Sequence, residues 1–125
     1  MGRNWTFLGA ILGGLAVAAG AFGAHGLREH LSAEALAWWQ TGAQYQLAHA
    51  LALVATGLVA ERRPSRAIEV AGAAFALGIA LFSGSLYALA LGGPRALGAV
   101  TPFGGVLLLA GWGAMAAASR RSRAA

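Results

Sequence analysis

The chain has 125 residues, of which 58% are hydrophobic and only 10% charged, against roughly 25% charged in an ordinary soluble domain. It has no cysteine, which excludes disulfides, thiolate nucleophiles and Cys-ligated metals. Its net charge of +5 comes from nine Arg against four Glu, without Lys or Asp, and the arginines flank apolar runs instead of forming one patch. That pattern reads as charge at a membrane edge, with the lipid bilayer as partner and no nucleic acid.

Four apolar runs follow in chain order: Trp5–Ala24, Trp38–Ala60, Ala67–Leu91 and Pro102–Ser119. Each has roughly the 17–25 residues that carry a helix across a bilayer core. A helix satisfies its own backbone in lipid, and the short connectors leave no length for a soluble domain. The fold class is therefore all-α: one membrane domain over residues 1–125, a polytopic four-helix bundle.

The first run is longer than the ~7–15 apolar residues of a signal-peptide core, and reads as a retained span. The opening MGRNWT fits the loose myristoylation pattern, read as coincidence because a spanning helix follows at once. Small residues at Gly9, Gly13, Ala16, Gly20 and Ala24 recur every three or four positions, the spacing of a flat packing stripe.

Between the first two runs, Ser32 is expected to cap a short helix leading into the second span. Trp38 and Trp39 are expected to mark the outer interface, where indoles favour the headgroup level. The second run then carries Gln44, Tyr45, Gln46 and His49 into the apolar region. With the span starting at Trp38, His49 lies about 16 Å deep at 1.5 Å per residue, near the midplane. Tyr45, Gln46, His49 and Thr56 share one helical face, expected to point inward because a polar group facing lipid is costly.

The segment ERRPSR (61–66) stops the second helix at Pro64 and restarts the third with Ser65 as N-cap. The third run offers small residues at Gly72, Ala76 and Ala80, and polar ones at Ser83, Ser85 and Tyr87. Its end is marked by GGPR (92–95). Thr101-Pro102 opens the fourth run with a capping hydroxyl and a proline at the first helical position. Gly104, Leu108 and Gly111 follow as packing positions, and Trp112 is read as a packing residue.

The arginine count orients the chain. With four spans, Arg3, Arg62, Arg63, Arg66, Arg120, Arg121 and Arg123 fall on one side, and Arg28 and Arg95 on the other. Seven against two places both termini in the cytoplasm.

Two readings of the polar stripe stay open. In one it is interhelical bonding, with Ser83, Ser85, Tyr87 and Thr101 as the partners expected for this face. In the other it lines a small-solute or proton path in which His49 relays. The span interiors are read as free of carboxylates, which weighs against a coupled cation transporter. No metal or cofactor is expected. His25 and His30 belong to the outer loop, at a different depth from His49, so they do not pair with it as haem ligands. No acid orients His49 toward a serine, and no enzyme is expected.

Four blocks, GAFGAHGL (20–27), TGAQYQLAHALAL (41–53), LFSGSLYALAL (81–91) and TPFGGVLLLAGW (101–112), resemble the signature blocks of the domain-of-unknown-function 423 family. That family is in turn similar to the eukaryotic transmembrane protein 256 group. The resemblance implies a small four-span protein, in bacteria of the inner membrane, and no assigned activity. His25, Gln44, Tyr45, Gln46, His49, Ser83, Tyr87 and Thr101 fall within the blocks. They are expected to converge on one outward-facing polar pocket in a structural or accessory protein, either a homo-oligomer or a companion of other membrane proteins.

Overall fold

A computed structural model describes residues 4–124, with side chains as far as Arg120. The MGR start, and the side chains of Arg121 and Arg123 used in the charge count, lie outside the described residues. Four helices run through the chain: α1 Trp5–His25, α2 Ala33–Arg62, α3 Arg66–Ala90 and α4 Thr101–Ala124. All four are long and apolar enough to cross a membrane.

Each of the first three starts on a side-chain cap that accepts one of the amides orphaned at a helix N-terminus. Asn4 Oδ1 accepts from Phe7 N at 2.9 Å, Ser32 Oγ from Ala35 N at 3.1 Å, and Ser65 Oγ from Ile68 N at 3.2 Å. Ser32 thus caps α2 itself. The separate short helix expected ahead of the second span does not exist, because nothing between Ala33 and Trp38 interrupts the helix. At 30 residues, α2 is about 45 Å long and overhangs its neighbours.

The third helix ends on Gly92, the one described residue with a positive φ, at 97°. Gly92 N bonds Leu89 O at 3.1 Å and Gly93 N bonds Ala88 O at 2.8 Å. This pair of bonds is the Schellman closure, which needs a left-handed residue that only glycine supplies cheaply. Pro94 then turns the chain into a short 3-10 segment, Arg95–Ala99, not foreseen from sequence. The Thr101 hydroxyl faces the Leu97 carbonyl at 3.4 Å and the Ser85 hydroxyl.

Packing runs in chain order, α1 on α2, α2 on α3 and α3 on α4; among the described residues α1 and α4 make no extended contact with each other. The outcome is a central pair with two flanking helices. In the spanning stretches 44% of α2 and 39% of α3 are buried, against 17% for each flanking helix. Exposed Phe7, Leu15, Val17, Phe103, Val106 and Leu109 give the flanks an apolar outer surface.

Small residues let the backbones approach, as they must where lipid competes with protein for apolar surface. On α1 the buried small residues are Gly9, Ala16 and Gly23, one every seven positions. A Cβ on Gly9 would meet Ala50 O and Val54 at 2.8 Å, whereas Gly13 is in ordinary contact and Gly20 has nothing within 4 Å. Gly20 is therefore not a packing position; Gly23 is, against the Trp39 indole. On α4 a Cβ on Gly104 would lie 2.7 Å from the Cα of Phe82, and one on Gly111 would enter the Phe75 ring. Of the small residues expected on α3, Gly72 receives the Trp5 indole, while Ala80 is exposed.

The core cluster joins all four helices through Trp5, Leu53, Phe75, Ile79 and Leu108. A second cluster at the other end gathers Leu27, Trp39 and Ala90. Trp39 is thus buried, 8% exposed, and packs inside the bundle near its outer end. Its indole N–H donates to the Ala19 carbonyl at 2.7 Å, joining α2 to α1.

Candidate functional site

The antiparallel contacts set depth. Gly9 faces Ala50 and Val54, Gly23 faces Trp39, and Gly57 faces Thr6. These pairs put Leu15, the middle of α1, level with Leu47. His49 is two residues away, so it lies about 3 Å from the midpoint of the span, as the sequence register predicts.

His49 is buried and both of its ring nitrogens are engaged. Trp112 Nε1 lies 3.0 Å from His49 Nε2, and His49 Nδ1 lies 2.8 Å from the Tyr45 carbonyl. An indole N–H can only donate, so Nε2 accepts, and Nδ1 carries the proton donated to Tyr45. The neutral ring in this one tautomer satisfies every polar atom of the pair. Phe75 lies against the same ring, centroids 5.8 Å apart, and the Tyr45 ring stacks on it at 5.9 Å.

Gln46, three residues earlier, faces the other way round the buried side. Its Nε2 donates to the Leu12 carbonyl at 2.8 Å, and its Oε1 accepts from the Tyr87 hydroxyl at 2.7 Å. One amide thus joins α1, α2 and α3, as the His49–Trp112 bond joins α2 to α4. Ser83 Oγ donates to the Gly42 carbonyl at 2.7 Å. Gly42 has no Cβ to hold the strands of this junction apart: one added there would meet the Tyr87 ring at 2.9 Å. Ser85 bonds the Thr101 hydroxyl and the Phe82 carbonyl, closing α3 onto the start of α4. Thr56 Oγ1 donates to the Ala52 carbonyl at 2.8 Å and lies 3.6 Å from Met115 Sδ.

Of the residues predicted for a site, Gln46, His49, Ser83, Tyr87 and Thr101 are therefore joined to other elements of the chain. Of the four partners expected for the inward face of α2, Tyr87 is met, through Gln46, and none of the four reaches His49. Ser83 is level with Gly42, well outward of His49, and Phe75 occupies the α3 position opposite the imidazole. Tyr45 contributes its carbonyl and ring but is 45% exposed. His25, in the last turn of α1, and Gln44, on the outer side of α2, are exposed and stand apart from the network.

Sequence reasoning missed Trp112 as the partner of His49. The usable signal was an indole donor on α4 level with an imidazole acceptor on α2. It also passed over Glu69, which corrects the expectation of spans free of carboxylates. Glu69 sits in the first turn of α3 and accepts the Trp5 indole N–H at 3.2 Å. A carboxylate is favoured near a helix N-terminus, and at the end of the span it is close to water. Among the described residues, no three His, Cys, Asp or Glu side chains gather as a metal site would require.

Four spanning helices, polar groups turned inward and apolar flanks define a polytopic membrane protein built as a four-helix bundle. Residues 19–105 match the family described as "Protein of unknown function (DUF423)", and the chain belongs to that family. A UPF0382 membrane protein of Staphylococcus saprophyticus is 47% identical over 110 residues, covering 88% of this chain and 91% of its own. The UPF0382 inner membrane protein YgdD of Escherichia coli K12 is 46% identical over 113 residues, 90% of this chain and 86% of its own. A UPF0382 membrane protein of Haemophilus influenzae is 42% identical over 123 residues and covers 98% of both. No solved structure matches the chain.

Proposed function

We propose that this chain is a structural or accessory protein of the bacterial inner membrane, a sealed four-helix unit without an enzymatic site. Both termini face the cytoplasm. The observation that carries the reading is His49: its two nitrogens are spent on Trp112 and Tyr45. A proton relay needs one of them free to exchange with water or a second relay group. A polar pocket or solute path likewise needs groups left over to bind its contents, and Gln46 spends both ends of its amide on Leu12 and Tyr87. The inner-membrane placement draws on the naming of the Escherichia coli relative. The orientation draws on the arginine count, since exposed Arg62, Arg63, Arg66 and Arg120 lie at the end opposite Arg28 and Arg95.

The test uses the absence of native cysteine. Single cysteines at Ser83 and Thr56, buried positions either side of His49, are exposed to a small water-borne thiol reagent in intact cells. The expected result is no modification, while Glu29→Cys in the outer loop reacts fully. Rapid labelling of Ser83→Cys from outside would establish an open pocket, and labelling of both buried positions a continuous path.

A further inference from the structure

The α2 helix spends one side on the bundle and leaves the other uncovered. Its buried residues, Gly42, Gln46, His49, Leu53 and Thr56 among them, lie on one face. Gln44, Ala48, Leu51, Ala55 and Leu58 are all exposed and fall in steps of four and three, about 180° from the buried face. This uncovered stripe is apolar except at Gln44. By the register set by Gly9, Gly23 and Gly57, Gln44 lies three residues outward of the span's midpoint, about 4.5 Å. The hydrocarbon extends roughly 15 Å from the midplane, so a side chain of two methylenes does not reach the headgroups. Among the described residues the Gln44 side chain bonds no other group, unlike Gln46 two residues on.

We infer that this face of α2 pairs with the same face of a second copy, and that Gln44 bonds Gln44 of that copy across a two-fold axis. The argument rests on the chemistry of the amide. A carboxamide donates through Nε2 and accepts through Oε1, so two related by a two-fold axis satisfy each other, and an isologous pair needs no other partner chemistry. Copies inserted with the same orientation present their α2 helices parallel, which sets Gln44 opposite its counterpart. The spacing agrees. Gln44, Leu51 and Leu58 recur every seven residues, as do Ala48 and Ala55, the alternation of large and small side chains that interlocks two parallel helices. A single polar residue in such a seam fixes its register. The small residues of α1, Gly9 and Ala16, are buried inside the bundle and do not offer a competing seam. The pairing rests on the chain's being a membrane bundle and not on what that bundle does.

Full-length chains carrying Ala48→Cys, Ala55→Cys or, as a control on the lipid-facing side of α4, Leu109→Cys are oxidised in native membranes with a copper–phenanthroline catalyst. Disulfide-linked dimers are expected from the first two and not from the third. Adding Gln44→Leu, which removes no bond among the described residues, is expected to weaken dimerisation about tenfold, measured by dilution in lipid, in line with the loss of two interhelical hydrogen bonds. Absence of dimers at both α2 positions overturns the inference, as does equal cross-linking at Leu109→Cys. Capture of a different protein by Ala48→Cys in place of self-pairing also overturns it, and assigns the face to a foreign partner.

Discussion

Replacing Gln46 with Met tests whether the polar stripe holds the helices together. Methionine keeps the length and flexibility of the side chain and removes both hydrogen-bonding atoms. Two bonds disappear, to the Leu12 carbonyl and from the Tyr87 hydroxyl. The two losses are not equal. Leu12 O remains an acceptor within its own helix, whereas Tyr87 is left with a hydroxyl and no acceptor. Interhelical bonds in membranes are worth about 0.6–2 kcal/mol each, and an orphaned polar group adds a penalty of about 1–3 kcal/mol where water cannot reach it. With both terms near the lower end of these ranges, Gln46→Met is expected to destabilise the fold by about 2–3 kcal/mol. Tyr87→Phe, which leaves only the Gln46 carbonyl oxygen unpaired, is expected to cost about 1 kcal/mol. The double variant should be less destabilised than the sum of the two by about 1 kcal/mol, because no orphan remains. Reversible unfolding in mixed micelles, followed by far-ultraviolet circular dichroism as denaturing detergent is added, reads all three. Strict additivity, or a neutral Gln46→Met, refutes the reasoning and frees Gln46 for another task.

Four further outcomes are expected. Gly104→Ala places a Cβ 2.7 Å from the Cα of Phe82, where backbone cannot yield, and should cost about 2 kcal/mol in the same unfolding assay. Gly20→Ala, with nothing within 4 Å, should be neutral or slightly stabilising by helix propensity. Trp112→Phe leaves His49 Nε2 without its donor and should lower stability by about 1 kcal/mol, with little further change when His49→Leu is added. Cysteines at Glu29 and Pro64, both exposed in loops, should react with an impermeant reagent from outside and only after permeabilisation, respectively; the opposite pattern inverts the assigned orientation.

Much of the architecture was legible in the sequence because each signal is local. An apolar run of sufficient length must be a helix in lipid, and Ser65, Pro64 and the Gly92-Gly93-Pro94 turn mark helix ends through the chemistry of their own backbones. The inward face of α2 was legible for the same reason, since Gln46, His49 and Thr56 share one side of a single helix. What failed depended on two helices at once. The polar face of α2 was matched as a whole to the polar residues of α3, which holds for Gln46 and Tyr87, but opposite His49 the register puts Phe75 and brings Trp112 from α4. Gly20 obeyed the small-residue spacing within α1, yet the buried small positions are Gly9, Ala16 and Gly23, and Gly20 has nothing within 4 Å. Ser32 was read as opening a short helix ahead of a span that begins at Trp38, with Trp38 and Trp39 at the outer interface. One of those indoles is a hydrogen-bond donor inside the bundle.

The most direct test of the central claim is nitrogen nuclear magnetic resonance of His49 in the protein reconstituted in lipid. The account predicts a single neutral tautomer with the proton on Nδ1, a close contact between Nε2 and the Trp112 indole proton, and no magnetisation transfer from water. A proton on Nε2, or rapid exchange of the ring with water, would contradict a sealed bundle and place His49 on a path through the membrane.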